Sequence, residues 1–288
     1  MNTVELAVNG LLGDRPAAPQ LQVPESMILN IHLAALRDRG LLPPEQHERL
    51  LAGQYRQIKR PLIANARGSG VPISGHSRVI MVTSALPDEG KTFTSINLAM
   101  SMAREKDTDV VLVDGDVAKP HISAVLGMDR QPGLLEILDD ETLDTESVVL
   151  PTDIPGLSFV PAGKHSNTAA ELLASFRMQQ VANQLIQVSS RRLVLIDSPP
   201  LLLTSEARVL AGIVGQVVLV VRAGRTPQQA VLDAVSHMDE GKWIGLVLNQ
   251  SRNYREDRYY YGYGYDYDYD YGSTVERRSG DDVEMAPR

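Results

Sequence analysis

The chain has 288 residues, enough for one or two domains, and 43% apolar with 22% charged residues is a globular balance that provides for a sizeable core. A net charge of -8 argues against a basic nucleic-acid-binding domain, and no nucleic-acid partner is expected. The absence of cysteine rules out disulfides and thiolate metal sites.

The N-terminus has no basic stretch followed by an apolar run, and no apolar stretch approaches the roughly 18 residues that a bilayer span requires. A soluble, cytoplasmic chain is expected. Residues 1–24 mix Gly, Pro, Ala and Asn without a sustained period and read as a flexible lead-in. Residues 25–77 read as a helical N-terminal region with a linker. From Ser26 the apolar set Met27, Ile28, Ile31, Leu33 and Leu36 has helical spacing and stops at Gly40; a second helix is predicted from after Pro43-Pro44 to Arg60-Pro61. Its basic cluster Arg56, Lys59 and Arg60 is either a solvated face or a contact surface.

Residues 78–250 hold the chemistry. Val79-Ile80-Met81-Val82 reads as a buried strand, and Gly90-Lys91-Thr92 opens a helix whose apolar positions are Ile96, Ala99, Met100 and Ala103. Strand, small-residue loop and helix form the context of a phosphate-binding loop, in which backbone N–H groups and the positive helix end cradle phosphate oxygens. The loop residues Ala85, Pro87, Asp88, Glu89, Gly90, Lys91, Thr92 and Phe93 are the candidate nucleotide contacts, and Ala85 stands where the usual pattern has its first glycine. Lys91 is expected at the β- and γ-phosphates and Thr92 on Mg²⁺.

Two further apolar runs end in carboxylates, Val110–Val113 before Asp114 and Asp116, and Leu193–Ile196 before Asp197. Taken singly, an aspartate after a strand is often a turn residue or a cap. Three of them beside Gly-Lys-Thr suit a nucleotide–Mg²⁺ site at one strand edge. Thr92, Asp116 and Asp197 are the expected metal ligands, direct or through water, and Asp114 is left to orient or deprotonate an attacking hydroxyl. Runs at Val217–Val221 and Ile244–Leu248 lack alternation and are predicted at the sheet centre, with helices around Thr168–Val188, Ser205–Ala211 and Pro227–Met238. The predicted fold is α/β, a doubly wound, mainly parallel sheet.

Residues 251–288 read as a disordered tail. Every tyrosine except Tyr55 lies between Tyr254 and Tyr271, interleaved with Gly and Asp. The run is a low-complexity linker, a stacking platform for single strands, which its aspartates oppose, or a set of phosphate acceptors. On the last reading Tyr259, Tyr260, Tyr261, Tyr263, Tyr265, Tyr267, Tyr269 and Tyr271 would together gain roughly -12 to -16 charges.

Ser84–Thr92, Val110–Lys119, Leu193–Pro199 and the C-terminal tyrosine cluster, in this order, resemble the bacterial tyrosine autokinases of exopolysaccharide loci over about residues 26–272. These stretches match the family's Walker A, Walker A′ and Walker B motifs. The resemblance implies a phosphate-loop fold of the deviant Walker type, shared with ParA- and MinD-like ATPases. It also implies ATP and Mg²⁺ as cofactors, with Lys91, Asp114 and Asp116 as catalytic residues. Tail tyrosines would be phosphorylated in trans within a homo-oligomer. The implied partners are a membrane-embedded polysaccharide co-polymerase, which recruits and activates the kinase at the inner face of the membrane, and a tyrosine phosphatase.

Lacking a membrane span of its own, the chain looks like the stand-alone form, most similar to autokinases of loci coupled to exosortase-type sorting. Asn249 is either an adenine contact, by resemblance to the wider group, or a turn residue. Where the family often has an arginine after the second Walker A′ aspartate, this chain has Val117-Ala118, leaving Lys119 to take over that charge. The family's oligomerisation motif, Glu-x-x-Arg-x-x-Arg, aligns with Gly53, Arg56 and Lys59, without its glutamate. The competing reading is a ParA- or MinD-like ATPase switch, with water as acceptor and no need for clustered phenols.

Overall fold

In the computed structural model, which describes residues 28–70 and 76–251, seven strands form one sheet in the order β3-β4-β2-β5-β1-β6-β7. Their spans are β1 His76–Ser84, β2 Asp109–Asp114, β3 Leu150–Pro151, β4 Leu157–Val160, β5 Arg192–Asp197, β6 Val214–Arg222 and β7 Trp243–Asn249. All pairings are parallel except that of β3 with β4. The apolar runs of β1, β2, β5 and β6 lack alternation because both sheet faces are covered there. On β1, Val79 and Met81 enter one core, and Ile80 and Val82 the other.

One face is packed by α2 (Glu48–Ala66), α3 (Lys91–Ala103) and α4 (His121–Val125), through Leu62, Leu98, Met102 and Ile122. The other is packed by α5 (Leu134–Asp139), α6 (Ala169–Leu173), α7 (Phe176–Gln187), α8 (Ser205–Ile213) and α9 (Gln228–Ser236), through Leu138, Leu173, Val181, Leu210 and Ala234. Each such fully buried leucine or isoleucine contributes about 1.5–3 kcal/mol by leaving water. This is the doubly wound α/β fold expected from the motifs.

Three sequence expectations are corrected. The first helix, α1, spans only Leu33–Asp38. Residues before it are extended, because Leu29 donates to the Pro151 carbonyl, accepts from Asp153 N–H, and Ile31 N–H is taken by the Asp153 carboxylate. Nor does Pro61 end α2, which runs on to Ala66. Tyr55, Lys59, Leu62 and Asn65 are buried on both sides of the proline, and this packing outweighs the backbone bond it forfeits. Finally, β7 is an edge strand rather than sheet centre, and Leu246 and Leu248 are 62% and 65% exposed.

The helical N-terminal region is bonded into the sheet through a fully buried glutamine. Gln216 on β6 accepts from Asn65 Nδ2 at 3.0 Å and donates to the carbonyls of Leu62 at 3.1 Å and Ser77 at 2.5 Å. Lys59 is buried, not presented on a surface; its ammonium donates to the Ser101 carbonyl near the end of α3 and pairs with Glu105 at 2.7 Å. Arg56 and Arg60 of the same cluster are exposed. Residues 1–24, the tyrosine cluster and residues 71–75 of the linker lie outside the described residues.

Candidate functional site

The parallel pairing decides where the chemistry gathers. β5 lies between β1 and β2, with Asp197 in register with Val82 on one side and Asp114 on the other. The strand ends carrying the phosphate loop and the aspartates therefore meet at one sheet edge, where doubly wound folds place their ligands. Gly115 N–H donates to the Asp197 carbonyl at 2.8 Å and fixes the second motif against the third.

The phosphate loop occupies residues 85–90. Gly90, at φ +92°, caps α3 from the left-handed region, and Asp88 is left-handed at φ +59°. Ala85 has no positive φ and its methyl is buried in the core, so this turn does not require the usual first glycine. Pro87 and Asp88 are exposed, whereas Glu89 is buried. Its carboxylate accepts from Leu86 N–H at 2.9 Å and from the Thr226 hydroxyl.

At the start of α3, Lys91 pairs with Asp116 at 3.2 Å. One turn of the helix presents Thr92 and Ser95 to Asp197. The Thr92 hydroxyl donates to Oδ2 at 2.9 Å and that of Ser95 to Oδ1 at 2.7 Å. Because Thr92 donates its proton to the carboxylate, its lone pairs remain available to a cation. Burial pushes the Asp197 carboxyl up to about 6, against the opposing effects of Lys91 and the two hydroxyls.

Asp114 is fully buried. Its Oδ2 accepts from Ser123 N–H at 2.8 Å and from the Ser123 hydroxyl at 2.7 Å, while Oδ1 is enclosed without a hydrogen-bond partner. Burial and then the neighbouring Asp197 raise its pKa to about 7. Asp116 instead receives the N–H of exposed Lys119 at 3.3 Å.

A cleft of about 450 Å³ opens over the start of α3, walled by Asp88, Gly90, Lys91, Phe93, His121 and Asn249 among others. Asn249, at the end of β7, donates through Nδ2 to the Glu89 carbonyl at 2.9 Å. The structure thus brings Lys91, Thr92, Asp114, Asp116, Asp197 and Asn249 to one edge, and puts Ala85 beneath it. Three side chains here were missed in the sequence. Ser95 had a signal, three positions after Thr92 on one helical face. Ser123 and Thr226 act through folded proximity alone, in a short helix and in a turn.

The donors fit a nucleotide's phosphates and a divalent cation. The loop has a left-handed glycine and a lysine at a helix N-terminus, and a threonine with free lone pairs stands beside two carboxylates. Fold and site together define a phosphate-loop nucleotide-binding protein of the α/β class. No family model matches the chain. Individual proteins do. Tyrosine-protein kinase YwqD of Bacillus subtilis is 26% identical over 239 residues, 82% of this chain and 97% of YwqD.

The solved kinase domain of VpsO is 29% identical, with 72% of this chain and 100% of that domain covered at a TM-score of 0.58. For the kinase domain of the Escherichia coli tyrosine kinase ETK the values are 27%, 65%, 72% and 0.52. The relatives that match this chain are bacterial tyrosine-protein kinases, and its structural neighbours include their kinase domains. It spans only about a quarter of the length of several longer curated relatives. Among the described residues no helix is long and apolar enough to cross a membrane.

Proposed function

We propose that this chain is an ATP-dependent protein-tyrosine autokinase whose acceptors are the tyrosines from Tyr259 to Tyr271 on another copy of the chain. The reading is carried by one observation, the paired contacts of Lys91 with Asp116 and of Thr92 with Asp197 at the start of α3. Lys91 and the loop amides neutralise charge on the phosphates, and Thr92, Asp116 and Asp197 hold Mg²⁺, which when bound spreads the charge of the transferring group. Asp114 takes the phenol proton. Its Oδ1 is the carboxylate oxygen left without a partner, and a pKa near neutrality suits a base at pH 7.

The sequence resemblance supports a role in exopolysaccharide export. In that role a membrane-embedded co-polymerase recruits the homo-oligomer to the inner face of the membrane and activates it, and a tyrosine phosphatase resets the tail. The same resemblance favours the exosortase-associated subtype.

Incubation of the purified chain with ATP and Mg²⁺, followed by intact and peptide mass spectrometry, tests the activity. Several phosphates confined to residues 254–271 are expected, and none in Lys91→Met or Asp114→Asn. ADP release without phosphotyrosine, even with the co-polymerase's cytoplasmic end added, would favour the ATPase switch.

A further inference from the structure

We propose that Asn249 and Gln250 are positioning residues of the phosphate loop: from the end of β7 they hold two successive carbonyls of the loop and so aim the Glu89 and Gly90 N–H groups. The inference rests on the site binding a nucleotide's phosphates. Asn249 Nδ2 donates to the Glu89 carbonyl at 2.9 Å, and Gln250 Nε2 donates to the Asp88 carbonyl at 3.3 Å. In a planar trans peptide the C=O and the following N–H point in opposite directions. Tying the 88–89 and 89–90 carbonyls toward β7 therefore turns the N–H groups of Glu89 and Gly90 away from it. A phosphate-binding loop works through such amides, and their value lies in being oriented before the ligand arrives.

Two further observations support the clamp. A Cβ on Gly90 would lie 2.0 Å from Asn249 Nδ2, so the carboxamide fills the space beside the loop and leaves no room for a side chain there. The loop is also tied a second time, through the Glu89 side chain. Glu89 accepts from Thr226, whose hydroxyl in turn accepts from Arg222 N–H at 3.0 Å, so the turn after β6 holds the same residue. Asp88 and Gln250 are the two described non-glycine residues with positive φ, at +59° and +56°, and they are bonded to each other. Such strain persists where the surroundings impose it. Asn249 on this view acts on the phosphates through the loop, whereas an adenine contact would act on the base.

Titration calorimetry of the full chain with Mg²⁺-tripolyphosphate, ATP and GTP separates the two roles, since tripolyphosphate has no base. Asn249→Asp keeps the shape but sets a carboxylate against the Glu89 carbonyl. It is expected to weaken tripolyphosphate and ATP alike by about tenfold, with the ATP-to-GTP ratio unchanged. Gln250→Ala, on a longer and exposed bond, is expected to act in the same direction by about threefold, and Thr226→Val gives a third reading should Asn249→Asp fail to fold. Loss of the ATP-to-GTP preference with tripolyphosphate binding intact would overturn the inference in favour of an adenine contact. Unchanged binding of both ligands in the folded variants would also overturn it. A wild-type chain that binds neither ligand would remove the nucleotide reading itself, and this inference with it.

Discussion

Asp114 shows how a single residue can be legible in type and illegible in setting. Its place after an apolar run was readable, but its complete burial and its bonds from Ser123 depend on how α4 returns to the strand ends. The setting has a measurable consequence for the nucleotide-free protein. An aspartate in the unfolded chain titrates near 3.9, whereas folded Asp114 and Asp197 are held up at about 7 and about 6. Between about pH 4 and pH 7 the folded state therefore binds more protons than the unfolded one, and stability falls as pH rises through that window. Asp114→Asn removes its share of the dependence. Urea midpoints are expected to coincide for variant and wild type near pH 4, and the variant is expected to be the more stable at pH 8. A variant less stable at pH 8 would contradict this assignment of burial as the dominant cause.

At the scale of elements, β1, β2, β5 and β6 were readable because a strand covered on both faces carries an unbroken apolar run, and β7 was readable from a similar run without that cover. The position of β7 was not, since an edge strand and a central strand can share that pattern; only pairing tells them apart. The start of α1 was misread for a related reason. Ile28 and Ile31 satisfy helical spacing, but the backbone of Leu29 and Ile31 is claimed by the strand edge at 151–153. The short strands β3 and β4 and the helices α4 and α5 left no period long enough to detect. In α2 the sequence carries a removable weakness. Gly53 lies inside the helix, and a Cβ there would meet only Arg56 Nη2, at an ordinary 3.8 Å. Gly53→Ala is expected to stabilise the protein by about 0.5–1 kcal/mol, read as a shift in thermal or urea midpoint.

For the molecule as a whole, the sequence reads as a helical N-terminal region beside a kinase domain, and the described residues of both, up to Ser251, pack in one compact unit. Beside the apolar packing of Leu62, the two are joined by a long-range polar contact that no local pattern shows: Gln216, 151 positions from Asn65 along the chain, is bonded to it in the interior. Gln216→Leu keeps the bulk but removes its bonds to Asn65 Nδ2 and to the Leu62 and Ser77 carbonyls, at a cost of about 2–4 kcal/mol. Urea unfolding measures that cost, and limited proteolysis is expected to cut first in α2. A loss without faster cleavage of α2 would show that the helix is held by its apolar face alone.

The pairing of Val82, Asp197 and Asp114 across three strands also sets how the gene can change length. One residue inserted within β5 would move every side chain beyond it to the opposite face, exchanging Asp197 for an aliphatic neighbour, and no compensating substitution at the site could restore the arrangement. The stretch between Asp139 and Leu150 holds no sheet pairing and carries no such constraint. Insertions and deletions among relatives should therefore accumulate there and spare the three paired strands, however far the amino acids themselves have drifted.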